Sequence, residues 1–151
     1  MRRGAPQGLI HAGCLAHARR KFDEIIKAQG KHRKPGLAEA GLKQTQRLYA
    51  VEKAARDFPP ADRHRYRQEH ARPLWDTLQA WLATCRPGVP PQTAVGKALS
   101  YLHNEWDKLV VYLTDGRIEI DNNLCYAASG IMPTPGLCRV PLQKDSLHAI
   151  L

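Results

Sequence analysis

The sequence predicts a mainly α-helical protein in which residues 14–113 form a four-helix, bundle-like unit, followed by a short terminal strand. Apolar residues recur at spacings of three and four along four separate stretches, which is the period of an amphipathic helix. Short segments rich in glycine and proline separate these stretches, and both residues end helices. Because short connections favour neighbouring helices, we expect a bundle and no internal repeat.

The first two helices are predicted over residues 14–29 and 37–57, after an irregular segment of residues 1–13 in which Leu9-Ile10 begins a short strand. The apolar stripe of the first helix consists of Leu15, Ala18, Phe22 and Ile25. That of the second consists of Leu48, Val51, Ala55 and Phe58. Gly30 ends the first helix, and the pair Pro59-Pro60 ends the second and places a proline in the first turn of the next.

The third helix, predicted over residues 61–83, presents a conflict. Its apolar stripe contains Leu74, Leu78 and Trp81. Continued towards the N-terminus, the same stripe includes three basic side chains: Arg63, Arg67 and His70. We favour a kink at Pro73, because proline removes one helical hydrogen bond and lets the helix restart. The alternative is that the arginines lie at the edge of the core with their charged ends in water.

The fourth helix begins at a Thr93 cap and has the clearest pattern in the chain. Spacings of four, three, four, three and four residues separate Val95, Leu99, Leu102, Trp106, Leu109 and Leu113. This stripe predicts core residues, and Trp81 and Trp106 are expected to be packing residues. Lys97 and His103 fall on the exposed side.

Length and composition restrict the functional class. At 151 residues the chain is one domain of ordinary globular composition. No apolar run approaches the roughly 20 residues that cross a bilayer, so we expect a cytoplasmic protein without a membrane partner. The net charge of +9 favours polyanionic partners such as DNA.

The positive charge is concentrated near the N-terminus. Residues 1–34 carry nine arginines and lysines against two acidic residues. The alternative to a DNA-contacting face is a helix whose charges are merely solvated. Within this segment the candidates for contact with DNA are Arg19, Arg20, Lys21, Arg33 and Lys34.

His11, Cys14 and His17 lie within seven residues, so a metal site has to be considered. Structural zinc sites usually have four protein ligands, and no second cluster supplies the fourth. The remaining cysteines, Cys85, Cys125 and Cys138, form no close pair. We therefore predict no metal site.

Residues 114–123 combine a turn, a strand and a polar corner. Asp115 and Gly116 form a turn dipeptide, because glycine tolerates positive φ and aspartate can bond its own backbone. Residues 117–120 alternate polar and apolar side chains, which predicts a half-buried strand. Polar residues that commonly cap helices follow it: Asp121, Asn122 and Asn123. Residues 124–151 contain several prolines and predict an irregular tail.

Three blocks of the sequence together resemble the insertion-sequence-66 family of transposases. They are residues 11–22 (HAGCLAHARRKF), 67–74 (RQEHARPL) and 115–123 (DGRIEIDNN). The family pattern is similar to G-C-W-A-H-A-R-R-K-F, R-Q-E-x-x-R-P and D-G-R-x-E-I-D-N-N, and Leu15 replaces its Trp. The resemblance covers residues 10–123. The matching residues of the last block are Asp115, Gly116, Arg117, Glu119, Asp121, Asn122 and Asn123.

The resemblance implies an enzyme that cuts and joins DNA on a ribonuclease-H-like fold, with two Asp and one Glu that hold divalent metals, Mg²⁺ being expected. It also implies that both Asp precede residue 11, on strands this chain does not contain, and that residues 14–113 match a helical insertion. Tyr126 stands where the family has its catalytic Glu, and Tyr cannot ligate magnesium as a carboxylate does. We therefore expect no catalytic residue and no cofactor in this chain.

We interpret the chain as a truncated transposase copy, with a late start and a frameshift near codon 124 that makes residues 124–151 an out-of-family tail. The other two reading frames of the gene test this: one of them should yield a Glu-Arg pair followed by family-like sequence. Two alternatives stay open. The chain is a non-catalytic, basic, helical module that binds nucleic acid, or it is a regulator that docks on an intact transposase.

Overall fold

The computed structural model describes residues 9–31, 34–121 and 138–141. Along the chain, the elements are β1 (Leu9–Ala12), α1 (Leu15–Gln29), α2 (Leu37–Ala54), α3 (Pro60–Tyr66), a π-helical turn (Arg67–Ala71), α4 (Arg72–Cys85), a 3-10 turn (Arg86–Gly88), α5 (Ala94–Asn104), α6 (Trp106–Leu109), a second 3-10 turn (Val110–Thr114) and β2 (Cys138–Pro141). The prediction of a mainly helical unit is confirmed. Among the helices described, none is long and apolar enough to span a bilayer.

Helices α1 and α2 pack against each other through small residues. All four residues of the predicted α1 stripe are buried. The ring of Phe22 lies directly on Gly41 of α2, where an added β-carbon would be 2.6 Å from the Phe22 Cζ. This close approach explains a glycine in the interior of a helix, where it costs about 1 kcal/mol relative to alanine. Gly30 ends α1 as predicted, with φ 72°.

The third predicted helix is interrupted one turn before the predicted kink. The π-helical turn Arg67–Ala71 precedes α4, and Pro73 lies in the first turn of α4. Proline cannot donate to the carbonyl four residues earlier, which lies inside the π turn, so the wider turn accommodates it. Arg67 nevertheless faces the interior and has no exposed side-chain area. The alternative, in which the arginines reach water at the edge of the core, is therefore wrong for Arg67.

Helices α4, α5 and α6 complete the hydrophobic core. Of the apolar stripe predicted for the fourth helix, four leucines are buried: Leu99, Leu102, Leu109 and Leu113. Thr93 caps α5 as predicted, because its hydroxyl accepts from the Gly96 N–H at 3.0 Å. The fourth helix is not continuous, however; it breaks at Glu105 between α5 and α6.

The three tryptophans pack at the centre and flank of this core. As predicted, Trp81 and Trp106 are packing residues: Trp81 meets Phe22 with 6.5 Å between ring centroids, and Trp106 meets Trp75 edge-on at 5.2 Å. Trp75 is the most deeply buried of the three, and its indole N–H donates to the Tyr112 hydroxyl at 2.8 Å. The predicted stripe contained Leu74, which is only partly buried, and omitted Trp75, because positions 74 and 75 both fit the helical spacing to Leu78.

Residues 117–120 do not form the predicted terminal strand. A strand needs a neighbouring strand to satisfy its backbone groups, and these residues lie against helices. Their backbone bonds are local or reach a helix end: the Ile118 N–H donates to the Asp115 carbonyl at 3.1 Å, and the Ile120 carbonyl accepts from the Leu15 N–H at 3.2 Å. Ile118 and Ile120 are both buried, so the alternation was real although the strand is absent.

A two-stranded antiparallel sheet joins the two ends of the described chain. The strand predicted at Leu9-Ile10 is β1, which pairs with β2 so that Ile10 lies opposite Val140. The prediction of an irregular tail over residues 124–151 is therefore wrong at Cys138–Pro141, a run of four residues too short to show a period. The rest of that tail lies outside the described residues.

Arg67 is a charge buried between α2 and the C-terminal end of the helical unit. Its guanidinium donates twice to the Glu52 carboxylate, at 2.9 and 2.8 Å. The remaining nitrogen donates to the carbonyls of Tyr112 and Asp115, at 2.9 and 3.1 Å. The ring of Tyr112 also lies 4.8 Å from the guanidinium carbon. Each nitrogen of the guanidinium group therefore has at least one hydrogen-bond partner.

We expect Arg67→Met to destabilise the protein by about 3–5 kcal/mol, because it leaves Glu52 charged and unpaired in the interior. Urea unfolding followed by circular dichroism measures this change. Arg65→Gln is the matched control, because Arg65 lies on the neighbouring helix with 71% of its side chain exposed. The double variant Glu52→Leu/Arg67→Met should regain much of the lost stability, since it removes both charges. Equal unfolding free energies for Arg67→Met and Arg65→Gln would contradict the assigned role.

Candidate functional site

The three sequence blocks that carry the family resemblance meet in space. They converge on the segment of residues 115–121, which we call the motif loop. The first block contributes the Leu15 N–H, bonded to the Ile120 carbonyl. The second contributes Arg67, bonded to the Asp115 carbonyl, and Gln68, whose side-chain amide donates to the Leu113 carbonyl at 2.7 Å. Residues far apart in the sequence therefore hold one loop.

Asp115 closes the first turn of the motif loop as an Asx turn. Its Oδ1 accepts from the Arg117 backbone N–H at 2.9 Å, and its Oδ2 accepts from the Arg117 guanidinium at 2.6 Å. The hydrogen bonds from the Arg117 side chain lower the pKa of Asp115, and the backbone bond and the positive charge add to this effect, against an opposing effect of burial. The predicted bond of Asp115 to its own backbone is confirmed.

Gly116 is required for a different reason than predicted. Positive φ occurs at Gly30 alone among the described residues, so the turn at Gly116 does not use it. Instead, a β-carbon at Gly116 would collide with the carbonyl oxygen of Pro60, at the start of α3. The absence of a side chain lets the motif loop lie directly against this helix.

Arg63, on α3, connects the motif loop to the residues that follow α2. Its guanidinium donates to the Gly116 carbonyl at 3.2 Å and lies 3.5 Å from the Glu119 carboxylate. The same group donates to the carbonyls of Ala55 and Arg56, at 3.3 and 2.8 Å. Arg63 therefore ties the end of α2 to both halves of the motif loop.

Tyr49 of α2 holds the end of the motif loop. Its hydroxyl donates to Asp121 Oδ1 at 2.5 Å. Burial raises the pKa of Tyr49 well above its ordinary value, and the hydrogen bond to Asp121 and the negative charge of that residue raise it further. The hydroxyl therefore keeps its proton and remains a donor. The Arg19 guanidinium carbon lies 5.3 Å from the centre of the Tyr49 ring, so this basic side chain adjoins the same end of the loop.

The predicted DNA-binding residues occupy different positions around α1. Arg19 lies over Tyr49 of α2, whereas the Lys21 ammonium lies 5.4 Å from the Tyr101 ring of α5. Arg20 lies between them and is exposed. Lys34, in the loop after α1, is also exposed. Arg33 lies outside the described residues, as do Asn122 and Asn123 of the family motif.

The acids of the motif loop are engaged by side chains of the protein. Each carboxylate contacts a donor from the protein: Asp115 contacts Arg117, Glu119 contacts Arg63, and Asp121 contacts Tyr49. Across the described residues, no three His, Cys, Asp or Glu side chains converge as metal ligands. The described residues therefore offer no converging set of carboxylates of the kind that a two-metal site for strand transfer needs.

Sequence reasoning missed the roles of several residues outside the three blocks: Tyr49 and Arg63 contact the motif loop, and Glu52 and Tyr112 hold Arg67. Two signals were available. An arginine within an apolar stripe requires an acidic partner, and Glu52 stands next to the apolar stripe of α2. No comparable signal marks Tyr49, whose partner lies 72 residues away.

Stability should depend on pH through Asp115. Its pKa is lower in the folded protein than its ordinary value of 3.8, so its ionised form stabilises the fold above that value. This contribution is lost as the pH falls through the lower folded-state pKa. We expect Asp115→Asn to be less stable than the wild type at about pH 6 and to lose less further stability at about pH 3. Urea unfolding at both pH values measures the difference.

Arg117→Gln is the control for that experiment, because it removes the partner and leaves the acid in place. It should reduce the pH dependence as Asp115→Asn does, and the double variant should add little. A wild-type pH dependence in both single variants would show that the pair does not stabilise the loop.

Comparison with known proteins identifies the family to which this chain belongs. The family model described as "Transposase IS66 family" matches residues 2–126. Two uncharacterized proteins of Sinorhizobium fredii are similar in sequence. The protein y4jD is 34% identical over 113 residues, an alignment that covers 75% of this chain and 21% of y4jD. The protein y4hP is 31% identical over 124 residues, an alignment that covers 76% of this chain and 22% of y4hP. No solved structure matches. The chain thus spans about a fifth of the length of these relatives, and it belongs to the IS66 family of transposases.

Proposed function

We propose that this chain is a fragment of a DNA transposase that contacts DNA through its backbone phosphates and has no catalytic centre of its own. The observation that carries the proposal is the engagement of all three acids of the motif loop by Arg117, Arg63 and Tyr49. These acids stabilise the loop on the helical unit. Metal-dependent strand transfer needs carboxylates that converge on the metal ions, and no three potential ligands converge among the described residues.

The sequence after the motif loop supports the absence of a catalytic centre. By the family pattern, the catalytic Glu follows D-N-N by three positions, and Tyr126 occupies that place. A phenol does not replace a carboxylate as a magnesium ligand. Within this fragment, the helical unit therefore acts as a scaffold that fixes the motif loop.

Charge and exposure support the contact with DNA. The chain carries a net charge of +9, and Arg20 and Lys34 are exposed near the basic end of α1. Arg19 and Lys21 are held against aromatic rings, which restricts their side chains and leaves less entropy to lose on binding. Phosphate contacts of this type give weak sequence preference and steep salt dependence.

We expect the purified chain to bind labelled duplex DNA, with an affinity that falls steeply between about 50 and about 200 mM salt. Fluorescence anisotropy measures it. Arg20→Gln should weaken binding to all duplex sequences alike and lower the slope of log K against log salt by about 1. Lys97→Gln is the charge-matched control, because Lys97 is exposed and belongs to α5, whereas Arg20 belongs to the basic run of α1.

Two results would overturn the DNA assignment: no binding at the lower salt concentration, or equal effects of Arg20→Gln and Lys97→Gln. The catalytic part is tested separately, by incubating duplex DNA with the chain and Mg²⁺ or Mn²⁺. We expect no strand cleavage. Cleavage that disappears in Asp121→Asn would contradict the proposed lack of a catalytic centre.

A further inference from the structure

A pocket of about 580 Å³ opens where the end of α4 meets α5 and α6. Its polar wall is formed by Gln79, Arg86, His103 and Asp107, and Trp106 adds an aromatic ring. The volume is within the range of small-molecule sites. None of these residues belongs to the motif loop or to the basic run of α1, so the pocket is a separate feature.

Two basic side chains of this pocket are free to bind an anion. Arg86 and His103 are both exposed, and neither side chain has a hydrogen-bond or ion-pair partner within the part of the chain that the structure describes. A guanidinium is always charged and presents a planar set of donors that matches phosphate oxygens. An imidazole adds a further donor. Together they favour a phosphate over a neutral ligand.

Trp106, the aromatic residue of the pocket, is held in place by its contact with Trp75. Trp106 is half-buried and meets the buried Trp75 edge-on, with planes at 84°. Trp75 is itself fixed by its bond to the Tyr112 hydroxyl. A fixed indole beside basic groups is the arrangement that stacks a nucleobase while the adjoining phosphate is bound. Gln79 and Asp107 supply both a donor and acceptors for the polar edge of such a base.

We propose that this pocket binds one nucleoside 5′-monophosphate unit, free or as an unpaired nucleotide of a DNA strand. Its base stacks on Trp106, and its phosphate is bound by Arg86 and His103. A paired base is excluded, because its faces are covered by its neighbours in the duplex. The inference rests on the proposed DNA function and deepens it, since it gives this family member a preference for distorted DNA over regular duplex.

Fluorine NMR of the 5-fluorotryptophan-labelled chain tests the free ligand. The chain has three tryptophans, and Trp106→Phe assigns one of the three signals. On titration with deoxyadenosine monophosphate, we expect the Trp106 signal to move further than those of Trp75 and Trp81. The double variant Arg86→Gln/His103→Gln should abolish the movement, and Lys97→Gln should preserve it. An unmoved Trp106 signal at millimolar nucleotide would overturn binding of the free unit.

Anisotropy with DNA tests the unpaired nucleotide. A duplex with a one-nucleotide bulge should bind about tenfold tighter than the same duplex fully paired, which is in the range that one base–aromatic stack provides. Arg86→Gln/His103→Gln should remove this preference while its affinity for paired duplex stays close to that of Lys97→Gln. Equal affinities of the wild type for both duplexes would overturn the proposal that the pocket binds an unpaired nucleotide of DNA.

The two assignments fail separately. Absence of any duplex binding would contradict the proposed function and would leave the movement of the Trp106 signal with free nucleotide as the test of the pocket. Normal duplex binding with an unmoved Trp106 signal and no bulge preference would contradict the pocket alone.

Discussion

The burial of one guanidinium determines how the C-terminal part of this protein is attached to its helices. Arg67 has no exposed side-chain area, and only 12% of the Glu52 side chain is exposed, so neither charge is solvated by bulk water. A charge in that position is tolerated only when all its donors are satisfied. The donors of Arg67 are satisfied by a carboxylate from α2 and by two carbonyls at Tyr112 and Asp115. The arrangement of these three segments is therefore coupled to a single side chain.

The π-helical turn that contains Arg67 lies directly before α4, whose first turn contains Pro73. A regular helix through Arg67–Ala71 would follow the stripe that ends in Leu78, and the proline at position 73 would clash with the preceding turn. The π turn accommodates the proline, and Arg67 and Ala71 within it are both buried. The same turn therefore contains both the irregular backbone before Pro73 and the buried charge of Arg67.

The motif loop shows how a family motif can serve the fold. Asp115, Glu119 and Asp121 all lie in a short segment, which by sequence alone suggests acids available for metal chemistry. In the structure each acid is occupied by a donor that belongs to a different element or to the loop itself. Gly116 adds a steric requirement, because the loop touches the backbone of Pro60. These contacts place the motif against the helices, and the family relationship gives them a context in DNA transposition.

The described helical unit also covers its own apolar surface. Among the residues described, Phe58 is the large hydrophobic side chain that remains exposed, at 37%. It meets the ring of Tyr66 edge-on at 5.4 Å, so even this side chain is partly covered. The other large hydrophobic side chains of the described residues are therefore at least partly buried.

The sequence by itself determined the helices, because the spacing of apolar residues in α1 and α5 has the helical period and is bounded by Gly30 and Thr93. It also determined that residues 115–121 turn and bury alternate side chains, and the three blocks identified the family. It did not determine the long-range partners of Arg67, Arg63 and Tyr49, which lie 15 to 72 residues away along the chain. Only the tertiary structure decided that residues 117–120 lack strand pairing and that the acids of the motif loop are occupied. The physical reason is that periodicity reports which face of a segment is buried, whereas the satisfaction of a buried charge depends on which distant groups the fold brings to it.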